Sequence, residues 1–398
     1  MSRYLQCMCV LLILASACQP VASPTSPTVT LVPTNQPTLA ALPSETPTPI
    51  PTQPPTATAT QPLPTPTPTP YNVAEEVDTY LNSLVEANAF SGAVLVAQDS
   101  QILLSRGYGL ANRAQDVPNT PQTRFRICSI TKQFTAIGVL ILQDRGQLSV
   151  SDPICDYLPQ CPSAWKGITI HHLLTHTSGI PDFVDLPGYD STKGLPTTPL
   201  QLIARFRDEP LQLDPGTRWQ YSNSGYIILG YIIEQVSGQA YGAFIEDNIF
   251  APLQMDDSGY DHNLEVIATG YTGIGDRWNE ADHIDASVPY AAGALYSTIE
   301  DMYRWDQALY TEQLVPQESL DAMFTPYVGS PIGDYGYGWF ITYKHHRRVV
   351  RHGGGGDGFV TVIERYPNDR LTLILLSNRE TADIGTTTDT IAEMVFGK

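Results

Sequence analysis

Ser129 and Lys132 stand three positions apart in RFRICSITKQFTAIGVLILQDRGQL, residues 124–148, whose apolar residues recur at helical spacing. Side chains three apart on a helix share a face, so the hydroxyl and the ammonium can touch. Phe134, Ile137, Leu140 and Leu142, with Ala136, Val139 and Ile141, make the helix buried on most sides. In that setting the lysine either snorkels to water or serves the serine. Near a helix N-terminus, unpaired amides favour negative charge, stabilising a developing alkoxide and lowering the lysine pKa. A neutral lysine could then take the serine proton, which a lysine with the ordinary pKa of about 10 does not do at pH 7. A second Ser-x-x-Lys, Ser163 to Lys166, lies between Pro162 and Gly167, where no helix holds the pair in register.

A base of this kind needs partners, and Tyr-x-Asn occurs three times. Tyr80-Leu-Asn82 falls within the first helical segment and Tyr366-Pro-Asn368 reads as a hairpin turn. Tyr221-Ser-Asn223 instead precedes an apolar helix, in a polar loop whose side chains can project into a cleft. Farther on, His352 is followed by four glycines, Gly353 to Gly356, and then a strand. Glycine there signals close approach of backbone or ligand, and exposed N–H groups are what an oxyanion hole requires.

The elements that must position these groups follow from periodicity and turn residues. AEEVDTYLNSLVEAN reads as a helix, and SGAVLVAQDSQILLSRGYG as two strands around Asp99-Ser100. Helical patterns such as SGYIILGYIIEQVSG and YGAFIEDNIFAPL occupy roughly 150–290. STIEDMYRWDQALY has the start of a capped helix. YGYGWFITY, GFVTVIERY and LTLILLSN read as consecutive antiparallel strands, with Pro367-Asn368-Asp369 as a turn, before a last helix in TTTDTIAEMVFG. The expected fold is α+β: an antiparallel sheet from the two ends of the chain, flanked by helices, with a mostly helical subdomain inserted at about 150–290.

Composition divides the 398 residues unevenly. Residues 1–17 have the layout of a secretory signal peptide, and Ala15-Ser16-Ala17-Cys18 resembles a bacterial lipobox at which Cys18 would be lipidated. Residues 18–70 are a Pro/Thr-rich stretch that cannot bury a core and reads as a tether, leaving 71–398 as the folded domain. The expected location is therefore exported, at the cell surface or membrane, with a lipid anchor as the only membrane contact. In CDYLPQC, Cys155 and Cys161 are close enough to form a small disulfide loop, which is preferred over metal binding, and Cys128 reads as a small buried side chain. A net charge of -19 disfavours nucleic acid, with only the short KHHRR at 344–348 offsetting it. His171, His172 and His176 lack the Glu of an HExxH motif, and no metal is expected.

The three motifs together resemble those of the penicillin-recognising serine hydrolases: Ser-x-x-Lys, Tyr-x-Asn and His/Lys-x-Gly in that order. FRICSITKQFTA, LLTHTSGI and STIEDMYRW also look like segments of that family, in the branch of class C beta-lactamases, D-alanyl-D-alanine carboxypeptidases, D-aminopeptidases and lactamase-like esterases. The resemblance implies that Ser129 forms an acyl-enzyme, Lys132 activates it and Tyr221 shuttles the proton. Asn223 would hold the substrate amide and orient Lys132. His352 and Gly354 would form the third motif, and Gly355 N–H with Ser129 N–H the oxyanion hole. It further implies a cleft between sheet and helical subdomain, and no cofactor. Position 352 departs from the lysine typical of the beta-lactamases, so a D-amino-acid peptide or a small ester is the expected substrate and a beta-lactam the alternative. A surface-anchored binding protein without chemistry is the rival from another class, against which the three intact motifs speak. No G-x-S-x-G elbow supports an α/β-hydrolase. Oligomeric state is not legible here.

Overall fold

The computed structural model describes residues 72–262 and 267–397. The leader, Cys18 and the tether lie outside the described residues.

The central sheet is built from both ends of the domain. Strands β1 (Gly92–Gln98) and β2 (Gln101–Tyr108) come from its beginning. The others come from its end: β3 (Val328–Ser330), β4 (Gly333–Tyr335), β5 (Phe340–Lys344), β6 (Arg347–Gly356), β7 (Phe359–Tyr366) and β8 (Leu371–Ser377). The order is β3-β4-β5-β6-β7-β8-β1-β2, and every pairing is antiparallel. The seam between the two ends is β1 against β8, from Gly92 opposite Ser377 to Gln98 opposite Leu371. The β1–β2 turn uses Asp99 and Ser100, both left-handed at φ 50° and 64°, the pairing that matches a twisted two-residue hairpin.

Strand periodicity sorts the core into two layers. Val94, Val96, Leu373, Leu375 and Val362 face one side with Val77 and Leu81 of α1 (Val73–Glu86) and Ile391 of the C-terminal helix Ile384–Phe396. Ala93, Leu95, Ile374, Leu376 and Ile363 face the other, larger core, which holds the inserted helices. Two of these carry the chemistry-bearing residues. Helix α2 (Thr131–Asp144) is buried from Thr131 through Leu142. Helix α3 (Asn223–Ser237) is buried from Ser224 through Ile233 and ends on Gly238 at φ 72°, a left-handed cap that glycine adopts without cost. Helix α4 (Ile299–Ala308) is capped by Thr298, whose side chain accepts from Asp301 N.

The C-terminal strands differ from the sequence reading in two places. YGYGWFITY is not one strand but β4 and β5, separated at residues 336–339, where Gly338 turns at φ 78°. The glycine run is not backbone preceding a strand but the end of β6, a ten-residue strand. Glycine disfavours strand locally, yet pairing with β7 continues as far as Gly356 opposite Phe359. Pairing with β5 stops at Arg351, so β6 projects past its neighbour and leaves one edge of residues 352–356 without a β5 partner.

Candidate active site

Ser129 sits in a 3-10 turn, Cys128–Ile130, that leads directly into α2. Cys128 is held at φ 48°, a left-handed conformation that a non-glycine side chain resists and that is found where surrounding structure over-determines the backbone. The projecting end of β6 packs on this turn. A Cβ at Gly354 would lie 2.4 Å from Ile127 O and 2.9 Å from Cys128 Cβ, so only glycine fits there. One residue on, a Cβ at Gly355 would meet nothing within 4 Å, because Gly355 borders the cavity that Ser129 also lines.

Lys132 is the most informative group. Its side chain is 0 % exposed, and Nζ lies 2.8 Å from Asn223 Oδ1, 2.8 Å from Ala292 O and 3.1 Å from Ser129 Oγ. The first two partners can only accept. A neutral amine has two N–H bonds and one lone pair, so with both hydrogens committed the lone pair faces Ser129. Burial pulls the Lys132 pKa down to about 7, against the opposing pull of Asp182. Asp182 lies behind Asn223, its Oδ2 accepting from Asn223 N (3.1 Å) and Nδ2 (2.8 Å), and burial raises its own pKa. Asn223 is thereby fixed in orientation, with one Nδ2 hydrogen left over.

Burial pushes the Tyr221 phenol well above its ordinary value, against a smaller opposing pull from the nearby Ser129. Lys132 Nζ stands 4.9 Å from its ring centroid. Thus Ser129, Lys132, Tyr221, Asn223, Gly354 and Gly355 converge at one place.

His352 is placed differently from the others. Its ring is 2 % exposed and does not line the cavity. Nδ1 lies 2.6 Å from Gly353 O and Nε2 lies 3.2 Å from Tyr335 Oη, which is 3.2 Å from His176 Nε2; His176 Nδ1 accepts from Ser222 N. Donor and acceptor roles along this chain are fixed by its two ends. Ser222 N can only donate and Gly353 O can only accept, so His176 donates to Tyr335, Tyr335 to His352, and His352 to Gly353. Burial, then the nearby Lys132, pushes His352 down to about 3, and burial likewise holds His176 well below the usual imidazole value. Both rings are neutral at pH 7, and the chain ties the loop of Tyr221 to the strand of Gly354.

Sequence reasoning missed Asp182, Tyr335, Ala292 and the structural use of His176. An aspartate inside the apolar run GIPDFVDL was the available signal for Asp182; a backbone carbonyl such as Ala292 O leaves none. The remaining candidates lie elsewhere. Ser163 and Lys166 are exposed, Tyr80 and Asn82 belong to α1, and Tyr366 and Asn368 stand at the β7–β8 turn. Cys155 and Cys161 form a disulfide with Cα atoms 5.3 Å apart, and Cys128 is a free thiol. His171 bonds Tyr337 and His172 caps its own helix at Thr169; among the described residues no cluster suited to a metal ion occurs.

The cavity beside Ser129 holds about 130 Å³. Phe183, Val184, Tyr189, Ile284 and Pro289 give it apolar walls, and two ion pairs reach it: Arg126–Asp261 (2.7 Å) and Lys193–Asp357 (2.6 Å).

A profile of the beta-lactamase family matches residues 77–394. Penicillin-binding protein 4* of Bacillus subtilis (strain 168) is 32% identical over 333 residues, which span 78% of this chain and 72% of the relative. The crystal structure of a penicillin-binding protein from Bacillus halodurans superposes with a TM-score of 0.71 at 29% identity, covering 80% of this chain and 98% of that one. The octameric penicillin-binding protein homologue from Pyrococcus abyssi superposes at 0.72 with 28% identity, covering 81% and 77%.

Proposed function

Because the chain belongs to the beta-lactamase family of serine hydrolases, we propose that it works through an acyl-enzyme at Ser129 and acts on D-amino-acid peptides, in the manner of a D-alanyl-D-alanine carboxypeptidase, or on small esters. The observation that carries this reading is the buried Lys132 amine, held by Asn223 Oδ1 and Ala292 O with its third position 3.1 Å from Ser129 Oγ. Lys132 takes the serine proton as the alkoxide attacks the carbonyl carbon. The Ser129 and Gly355 N–H groups hold the resulting oxyanion on the open edge of β6. Tyr221 Oη relays the proton to the leaving amine or alcohol, and in the second half-reaction takes one from the attacking water. The free Nδ2 hydrogen of Asn223 holds a substrate carbonyl.

The neutral, buried His352 favours this reading over that of a beta-lactamase. A lysine at that position would offer a substrate carboxylate a fixed cation, whereas His352 offers none between pH 5 and 8 and spends both nitrogens inside the protein. The leader-like residues 1–17, Cys18 and the Pro/Thr tether favour a lipid-anchored enzyme at the cell surface, facing wall or extracellular peptides. No described helix is long and apolar enough to cross a membrane.

The test is trapping. Incubation with p-nitrophenyl acetate, quenched in acid, should leave an acetyl group on the peptide carrying Ser129, absent from Ser129→Ala. Peptides ending in D-alanyl-D-alanine should release D-alanine. Ester turnover with the adduct on another residue would overturn the assignment.

A further inference from the structure

The cavity lies on one side of Ser129. Asn223, Gly355, Gly356 and Asp357 line it; Tyr221 and His352 do not. With Tyr221 delivering the leaving-group proton, the departing half of the substrate sits by Tyr221 and the acyl half fills the cavity, an orientation that rests on the function proposed above.

Asp357, which lines the acyl cavity, meets Lys193 at 2.6 Å, with side chains 16 and 17 % exposed. The two partners are not equally free. Asp357 is at φ 43° between Gly356 (φ 154°) and Gly358 (φ 92°). That turn is pinned: Gly358 N donates to Glu380, Gly358 O accepts from Tyr271 N, and a Cβ at 358 would lie 2.5 Å from the Gly270 backbone. Lys193 follows the four-residue helix Tyr189–Thr192 and reaches Asp357 through a flexible four-carbon stem. Its ammonium pKa is raised by Asp357 first and then by the nearby Asp282 and Asp190. The carboxylate is fixed, the ammonium is exchangeable, and two further carboxylates wait for Lys193 if it moves.

We propose that Asp357 is an ammonium subsite of the acyl cavity: a free amine on the acyl half of the substrate takes over the carboxylate, and Lys193 swings out toward Asp190 and Asp282. A substrate carboxylate is disfavoured by the same geometry. It would have to draw Lys193 from an aspartate that cannot follow, against the pull of the two other carboxylates near that lysine. Arg126, the basic residue that lines the cavity, is committed to Asp261 at 2.7 Å. The enzyme is thereby selective for acyl groups that carry an unblocked amine.

Calorimetric titration of the full chain carrying Ser129→Ala, so that amides survive, tests this with two probes. D-alaninamide should bind roughly tenfold more tightly than N-acetyl-D-alaninamide, the size of one charge-assisted contact in a partly buried site. Adding Asp357→Asn should abolish the difference. Adding Lys193→Met should tighten D-alaninamide severalfold and leave the acetylated probe unchanged, whereas a purely structural ion pair would show weaker binding or none. Equal binding of both probes, no binding of either, a preference that survives Asp357→Asn, or weakening by Lys193→Met would each overturn the subsite. Acetylation of the unmodified chain by p-nitrophenyl acetate, run in parallel, reports on the Ser129 reading separately, since an acetyl group carries no amine.

Discussion

The chain contains two Ser-x-x-Lys runs, and both serines lie in 3-10 turns, Cys128–Ile130 and Ser163–Trp165. After the first turn comes a 14-residue helix buried on nearly every side, and Lys132 ends in a pocket of two fixed acceptors. After the second comes Gly167, and both Ser163 and Lys166 stand in solvent. The same three-residue spacing therefore gives a buried amine held by two acceptors in one place and a solvent-exposed one in the other. Spacing sets how the two side chains are placed; burial and the acceptors around the lysine decide its environment.

Serine replacement tests the comparison with the largest effect. Ser129→Ala should lower kcat/KM for p-nitrophenyl acetate roughly ten-thousandfold, while Ser163→Ala should stay within about twofold. A large loss at Ser163 would erase the distinction between the two turns. Lysine replacement follows: Lys132→Met should cost roughly a thousandfold, the scale of a general base, and Lys166→Met next to nothing.

The pH profile sharpens the same contrast. Lys132 must be neutral to accept the serine proton, and burial brings its pKa to about 7. Hence kcat/KM should fall as pH drops through about 7 and level off above it, and Lys132→Met should remove that limb. Stability should move in the same direction. The unfolded chain, with its lysine near the ordinary value of about 10.4, binds the extra proton in the window between, so folding is favoured as pH rises from about 7 toward 10. Chemical unfolding at several pH values reads the slope, and a flat or opposite one would mean that Lys132 stays charged in the folded protein.

Much of this was legible in the chain itself. The side chains of the candidate site are written as short local patterns, and the strands of the sheet announce themselves by alternation, as in GAVLVAQ and LTLILLSN. What was hidden is whatever depends on distant chain. Lys132 meets Asn223 and Ala292 across 91 and 160 residues, and no local pattern encodes a carbonyl acceptor. The histidine of LLTHTSGI gave no hint that it would reach Tyr335, 159 residues away. The glycine strand was misjudged because propensity argues against it, and only pairing with β7 and close packing on the Ser129 turn override that preference.

The hydrogen-bonded chain from His176 to Gly353 predicts a smaller effect on rate. Tyr335→Phe leaves a His176 N–H without an acceptor and a His352 nitrogen without a donor, both buried. It should cost about 1–3 kcal/mol in stability and lower kcat more than it raises KM, because the Tyr221 loop and β6 are no longer held in register. An unchanged kcat with reduced stability would make the chain a fold element only.

The smallest effect on activity is expected where the second turn has its own support. Cys155 and Cys161 are six apart in sequence, and Ser163 follows two residues after Cys161. Closing so short a loop restricts the unfolded chain by about 2 kcal/mol in the chain-entropy view. Neither cysteine lines the Ser129 cavity. The double replacement Cys155→Ser, Cys161→Ser should therefore lower the unfolding free energy by roughly that amount while leaving kcat/KM within about twofold. Urea unfolding and ester hydrolysis on the same preparation separate the two quantities. If activity fell with stability, the two Ser-x-x-Lys regions would be mechanically coupled, and the exposed one would matter to the buried one after all.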